Sequence, residues 1–348
     1  MSKFRVLLTD YAWADLEIER RTLAEVDAEL IVASAQDETT LIQAAAEVDA
    51  IMTCWAKVTP RVLAASPKLR IVSRLGIGLD NIDVAWCSAH GVPVTNVPDY
   101  CVDEVAEHTI ALVLGLARKV AWYHHETKQG RYQLQSGPAL RRVAGQTLGI
   151  IGLGNIGRQV ARRAEALGLK VIAAARRDGS TGSVATGTSS TVNGSIGSSA
   201  VDIATSGSGV VTRVPLDELL ATSDYVSLHL PLVPDTRRMI GANEFQRMKP
   251  TAYLINTSRG GLVDHAALAE ALAAGRLAGA ALDVQDPEPP DLSQPPYNDP
   301  RVIVTPHAAF VSIESLLDLR RRTAIQVATR LTGGQPENIV NRDQLAAM

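Results

Sequence analysis

Apolar residues in this chain fall in short uninterrupted runs, separated by longer stretches where alanine, glutamate and leucine recur at helical spacing. Residues 5–9, 30–33, 50–53 and 71–74 make a first series of runs. Residues 147–152, 170–174, 225–230, 253–256, 279–283 and 302–305 make a second. Apolar runs without alternation mark strands buried on both faces. Strands of that kind alternating with helices predict parallel sheets, so two series predict two α/β domains. Between them, residues 103–119 read as one long helix whose acidic start and basic end suit its dipole. This helix is expected to bridge the two domains.

One stretch breaks the pattern. Residues 178–209 are rich in glycine, serine, threonine and alanine and nearly free of charge and aromatics. Such a composition buries little core, and a structureless segment of this length is either mobile or a flap with a task of its own. Mobility is the expectation.

Composition narrows the classes. At 348 residues and 46% hydrophobic the chain can fill two ordinary cores. A net charge of −3 with interspersed signs provides no basic stripe for nucleic acid. No segment approaches the roughly 20 apolar residues of a membrane span, and the N-terminal apolar run is short for a signal peptide. A cytoplasmic protein without nucleic-acid or membrane partners is expected. Cys54, Cys87 and Cys101 cannot all pair and lack metal-ligand spacing, so they read as reduced packing residues and no metal is expected.

The run 148–157, LGIIGLGNIG, leaves a strand through a G-x-G-x-x-G loop into a helical stretch. Gly152 permits the tight turn, Gly154 lets backbone N–H groups approach a pyrophosphate, and Gly157 seats the helix on the strand. The anion then lies at the positive helix end. About 20 residues on, an acid would accept hydrogen bonds from the adenosine ribose 2′-OH. Here the strand ends in Ala175, followed by Arg176 and Arg177. Two guanidiniums and no carboxylate suit a 2′-phosphate, so NADP is favoured over NAD. The other reading has both arginines in solvent and Asp178 reaching the ribose.

Ligands of a doubly wound sheet bind beyond the carboxyl ends of its strands. Three late strands end in Arg259, Glu288 and His307 respectively. These are the parts for reducing a 2-oxo acid: a fork for the carboxylate, a proton donor for the carbonyl oxygen, and an acid that keeps the donor protonated.

With these motifs the chain resembles the D-isomer-specific 2-hydroxyacid dehydrogenases. The resemblance runs through RLGIGLDNID (74–83), NVP from Asn96, VAE from Val105, the glycine loop, LHLPLVPDT (228–236), NTSRGGLVD (256–264), ALDVQDPEP (281–289) and TPHAAF (305–310). The stretches around Asn96 and His307 look most like the branch that includes the C-terminal-binding-protein corepressors. The resemblance implies catalytic roles for Arg259, Glu288 and His307. It implies cofactor contacts from Gly152, Gly154, Asn155, Ile156, Gly157, His229, Pro231, Thr236 and Thr257, with Asp283 holding the nicotinamide carboxamide.

The family's fold implies two Rossmann-like/flavodoxin-like domains with parallel sheets. Residues 1–98 and 309–348 form a discontinuous substrate domain, and residues 99–308 a dinucleotide-binding Rossmann domain with an insertion at about 178–209. A closing cleft and a homodimer through the cofactor domains come with it. Substrate contacts are implied for Arg259 and for backbone N–H groups near Ile77 and Gly78. Trp55 and Phe310 either add apolar bulk to the pocket or are core aromatics. The chain departs from the family at Cys54-Trp-Ala-Lys-Val-Thr-Pro60, where an arginine-serine pair often precedes the threonine, which opens the question of substrate. Two other functions share this residue set: a nucleotide-sensing interaction protein, and an oxidoreductase acting on a phosphorylated hydroxy acid or a phosphorus oxyanion.

Overall fold

In the computed structural model, described for residues 2–134, 137, 139–175, 203–205 and 210–346, the chain divides into two compact units. Among the described residues, one comprises 2–100 with 312–346 and the other 101–175, 203–205 and 210–311.

The first unit is built on a five-stranded sheet. Its strands are β1 (Phe4–Leu8), β2 (Ala28–Val32), β3 (Ala50–Thr53), β4 (Ile71–Arg74) and β5 (Val94–Thr95), ordered β2-β1-β3-β4-β5 with every pairing parallel. That is the flavodoxin-like order. Successive residues of β1 feed opposite faces: Val6 and Leu8 join one core, Leu7 the other. Burial on both sides is why the strand reads as an unbroken apolar run. Helices Glu17–Ala24 and Ile313–Leu331 cover the first face through Leu23, Leu319, Ala324 and Val327. Helices Glu38–Ala45, Pro60–Ala64 and Val84–Ala89 cover the second. Arg320 on the long terminal helix forks onto the fully buried Glu19, with Nε–Oε1 and Nη2–Oε2 both at 2.8 Å.

The second unit carries eight strands: β6 (Thr147–Ile151), β7 (Lys170–Ala174), β8 (Ile203–Thr205), β9 (Val210–Val214), β10 (Tyr225–Leu228), β11 (Tyr253–Asn256), β12 (Gly279–Leu282) and β13 (Val302–Val304). Their order is β13-β12-β11-β10-β6-β7-β9-β8, parallel except for the β8–β9 pair. The order reverses between β6 and β10, which makes the crevice beyond their carboxyl ends the switch point of the sheet.

The predicted bridging helix runs over Val102–Arg118, belongs to this unit and packs on helix Asn155–Ala166. It stops at Lys119, whose backbone is left-handed (φ 54°) and whose Nζ lies 4.6 Å over the Tyr253 ring. Strands β5, β8 and β9 escape the sequence pattern. The tract expected to lack structure contributes β8, while most of it lies outside the described residues.

Candidate active site

Strand register aligns the site. Ile151, Leu228, Asn256, Leu282 and Val304 pair in turn across β6, β10, β11, β12 and β13. The next residue on each strand is therefore Gly152, His229, Thr257, Asp283 or Thr305, one row along a single edge. Neighbouring strands lie about 4.8 Å apart, so the exits of β11, β12 and β13 fall within about 10 Å. Arg259, Glu288 and His307 leave from these three exits.

His307 Nδ1 donates to Glu288 Oε2 at 2.9 Å, and Glu288 Oε1 accepts the Gln285 N–H at 2.7 Å. Both carboxylate oxygens are thus committed, and the imidazole is held with Nδ1 toward the acid. His307 itself has a left-handed backbone, φ 52°, which an L side chain rarely adopts. Asp283 supports that conformation. It is fully buried, and its carboxylate accepts the Thr305 hydroxyl at 2.5 Å and the N–H groups of Ala308 and Ala309 at 2.9 Å each. Its carbonyl accepts the His307 N–H at 2.7 Å. Asp283 therefore fixes the histidine loop, a job its motif did not announce. The Phe310 ring meets the imidazole edge-on, centroids 6.0 Å apart.

Arg259 is half-buried and opens a short turn, Gly260–Leu262. Asn256 Nδ2 donates to its carbonyl at 2.8 Å, and its Nη1 donates to the Ser258 carbonyl at 2.8 Å. Thr257 bonds the Thr109 hydroxyl at 2.9 Å. Because Thr109 donates to the Val105 carbonyl at 2.7 Å, Thr257 is the donor between the two hydroxyls.

The glycine loop fits a nucleotide on its own geometry. Gly152 has φ 103°, and a Cβ there would overlap the His229 carbonyl; a Cβ on Gly157 would overlap the carbonyl of Gly152. Gly154 faces open space, and the helix it begins has no side-chain cap. The Asn155 carboxamide is engaged by Arg158 Nη2 at 2.9 Å, which leaves the first turn, including Ile156, to a ligand's anion. At the next strand end, His229 bonds Ser227 through Nε2 at 2.9 Å while its Nδ1 is buried without a partner; burial pushes the imidazole down to about 4. Thr236 closes the loop from Pro231 by donating to the Pro231 carbonyl at 2.8 Å. Arg176 and Arg177 lie outside the described residues.

Trp55, Ile77 and Gly78 belong to the first unit, beyond the adjacent ends of β3 and β4. Asp10, a residue the motifs did not single out, gathers the N–H groups of Cys54, Trp55 and Ala56 at 3.0, 2.7 and 3.2 Å. The signal was an acid two residues past the end of the apolar strand β1. The Ile77 carbonyl accepts from Asn96 Nδ2 at 2.7 Å. Burial pushes the Cys54 thiol up to about 12, which suits packing and not nucleophilic work. No described helix is long and apolar enough to cross a membrane, and no metal-type cluster of His, Cys, Asp and Glu occurs among the described residues.

Residues 110–309 match the family model described as D-isomer specific 2-hydroxyacid dehydrogenase, NAD binding domain. The chain is 35% identical over 344 residues to a glyoxylate reductase of Korarchaeum cryptofilum, covering 94% of each. Its fold is similar to the NADPH-dependent glyoxylate/hydroxypyruvate reductase of Sinorhizobium meliloti solved with NADP and malonate (TM-score 0.78, 26% identity, 97% of each chain). It is equally similar to the D-lactate dehydrogenase of Aquifex aeolicus solved with NAD and lactic acid (TM-score 0.78, 27% identity, 98% of each chain). The chain therefore belongs to the D-isomer-specific 2-hydroxyacid dehydrogenases, NAD(P)-dependent oxidoreductases acting on CH–OH groups.

Proposed function

We propose that the protein reduces a small 2-oxo acid to the D-2-hydroxy acid, with His307 as proton donor, Glu288 as its acid partner and Arg259 as the carboxylate fork. The observation that carries this reading is the 2.9 Å bond from His307 Nδ1 to a Glu288 carboxylate that is itself held by the Gln285 N–H. With Nδ1 committed, Nε2 is the nitrogen that delivers a proton to the substrate oxygen, and the carboxylate orients the ring for that transfer. The Arg259 guanidinium matches a carboxylate in a planar fork and polarises the adjacent ketone. The first turn after Gly154 and the residues Pro231, Thr236 and Thr257 would hold the nucleotide. When bound, the reduced nicotinamide supplies the hydride.

NADP as the preferred cofactor is supported by Ala175 standing where a ribose-binding acid would repel a 2′-phosphate, with Arg176 and Arg177 next in sequence. A homodimer through this unit is supported by helix Val120–Lys128, which buries none of its residues within its own chain while Val120, Tyr132 and Leu134 lie exposed.

The test is a panel of 2-oxo acids, led by glyoxylate because that is the named substrate of the full-length relative, with NADPH and NADH, read by loss of reduced-nicotinamide absorbance. Turnover with NADPH is expected at a kcat/KM about tenfold or more above NADH, the worth of one charge-assisted contact. His307→Ala and Arg259→Ala should each lower kcat by about 10²–10⁴-fold with nucleotide binding retained. No turnover with any acid would replace this reading with a nucleotide-sensing role.

A further inference from the structure

The backbone N–H of Gln285 already holds Glu288, but its side chain has no role assigned above, and the residue touches all three loops that carry the chemistry. Its side chain is almost fully buried, 7% exposed. Nε2 donates to the carbonyl of Leu282, the last residue of β12, at 3.1 Å and to the carbonyl of Thr305, two residues before His307, at 3.2 Å. Its backbone N–H holds Glu288 Oε1 at 2.7 Å. Its backbone carbonyl packs so closely on Gly260, beside Arg259, that a Cβ at Gly260 would overlap it.

A carboxamide has two N–H donors, and both are used here. Neither acceptor depends on them: the Leu282 carbonyl already takes the Thr305 N–H at 3.0 Å, and the Thr305 carbonyl the His307 N–H at 3.1 Å. An apolar side chain at 285 would therefore orphan neither carbonyl. What it would release is the spacing between the ends of β12 and β13, and with it the alignment of the acid on one loop against the imidazole on the other.

We propose that Gln285 is a positioning residue: by clamping the exits of β12 and β13 it holds Glu288 Oε2 against His307 Nδ1. This rests on the reading of His307 as proton donor. Gln285→Met keeps the length of the side chain and removes both donors. The expected result is a kcat lower by about 10–100-fold with KM for the 2-oxo acid nearly unchanged, as for other residues that orient a reacting side chain. In the resting protein without substrate, the low-field Nδ1–H proton resonance of His307 should weaken or move upfield. Combined with Glu288→Gln, the substitution should cost nothing further, because the contact it serves is already gone.

An unmoved resonance together with a Gln285→Met penalty that adds in full to that of Glu288→Gln would overturn the proposal, as would an unaltered kcat. If Gln285→Met does not fold, Gln285→Asn, whose amide falls one methylene short, is read by the same three measurements. Should the wild-type protein reduce no 2-oxo acid, the proposed function fails while the resonance still judges the clamp.

Discussion

His229 shows how one side chain carries a pH dependence that its motif does not reveal. Part of the residue is accessible, yet Nδ1 is enclosed without a partner and burial pushes the imidazole down to about 4, from 6.5 when exposed. The folded state then binds fewer protons than the unfolded state between these values. Stability that is complete above pH 6.5 should drain away as the pH falls toward 4, on the order of 3 kcal/mol in all. Melting temperature against pH tests this: His229→Asn should flatten the acid-side fall, and an unchanged slope would assign it to other groups. The sequence revealed which residues gather at the strand ends because arginine, glutamate and histidine each stand after an apolar run. It did not reveal that Asp283 also holds the histidine loop, since hydrogen bonds between residues more than twenty positions apart leave no mark in a string.

At the level of elements, the glycine loop separates space needed by the fold from space left for a ligand. Gly157→Ala should destabilise the protein by several kcal/mol, because its Cβ would strike the Gly152 carbonyl and push helix Asn155–Ala166 off the sheet. Gly154→Ala meets no atom within 4 Å, so it should leave the melting temperature within a degree or two while weakening nucleotide binding by about tenfold or more. Calorimetry of both variants with and without nucleotide decides it; equal losses of stability would remove the distinction. Strands with continuous apolar runs were legible, and so was the long helix through its charge bias. β5 and β8 were not, because two or three residues carry no period, and β9 was hidden behind the polar tract that precedes it. The long helix's position between the two strand series suggests a bridge, whereas the apolar stripe of Ala106, Val113 and Leu116 packs it into the second unit.

For the molecule as a whole, the first unit draws on both halves of the sequence. Its central face is covered by helix Ile313–Leu331, anchored by the Arg320 fork on buried Glu19. Arg320→Met should cost about 3–5 kcal/mol by leaving the buried Glu19 without its partner, and adding Glu19→Leu should recover much of it. Chemical denaturation of the single and double variants checks this, and additive losses would refute a coupled pair. Periodicity predicted two α/β domains, but not that a terminal helix closes the first, because nothing in a helix's apolar stripe says which sheet it will find. That arrangement sets a timetable for synthesis. A nascent chain emerging from the ribosome would leave the β3–β4 part of that face uncovered from Arg74 until translation reached Ile313, so the middle of the polypeptide can mature first and the beginning must wait for the end.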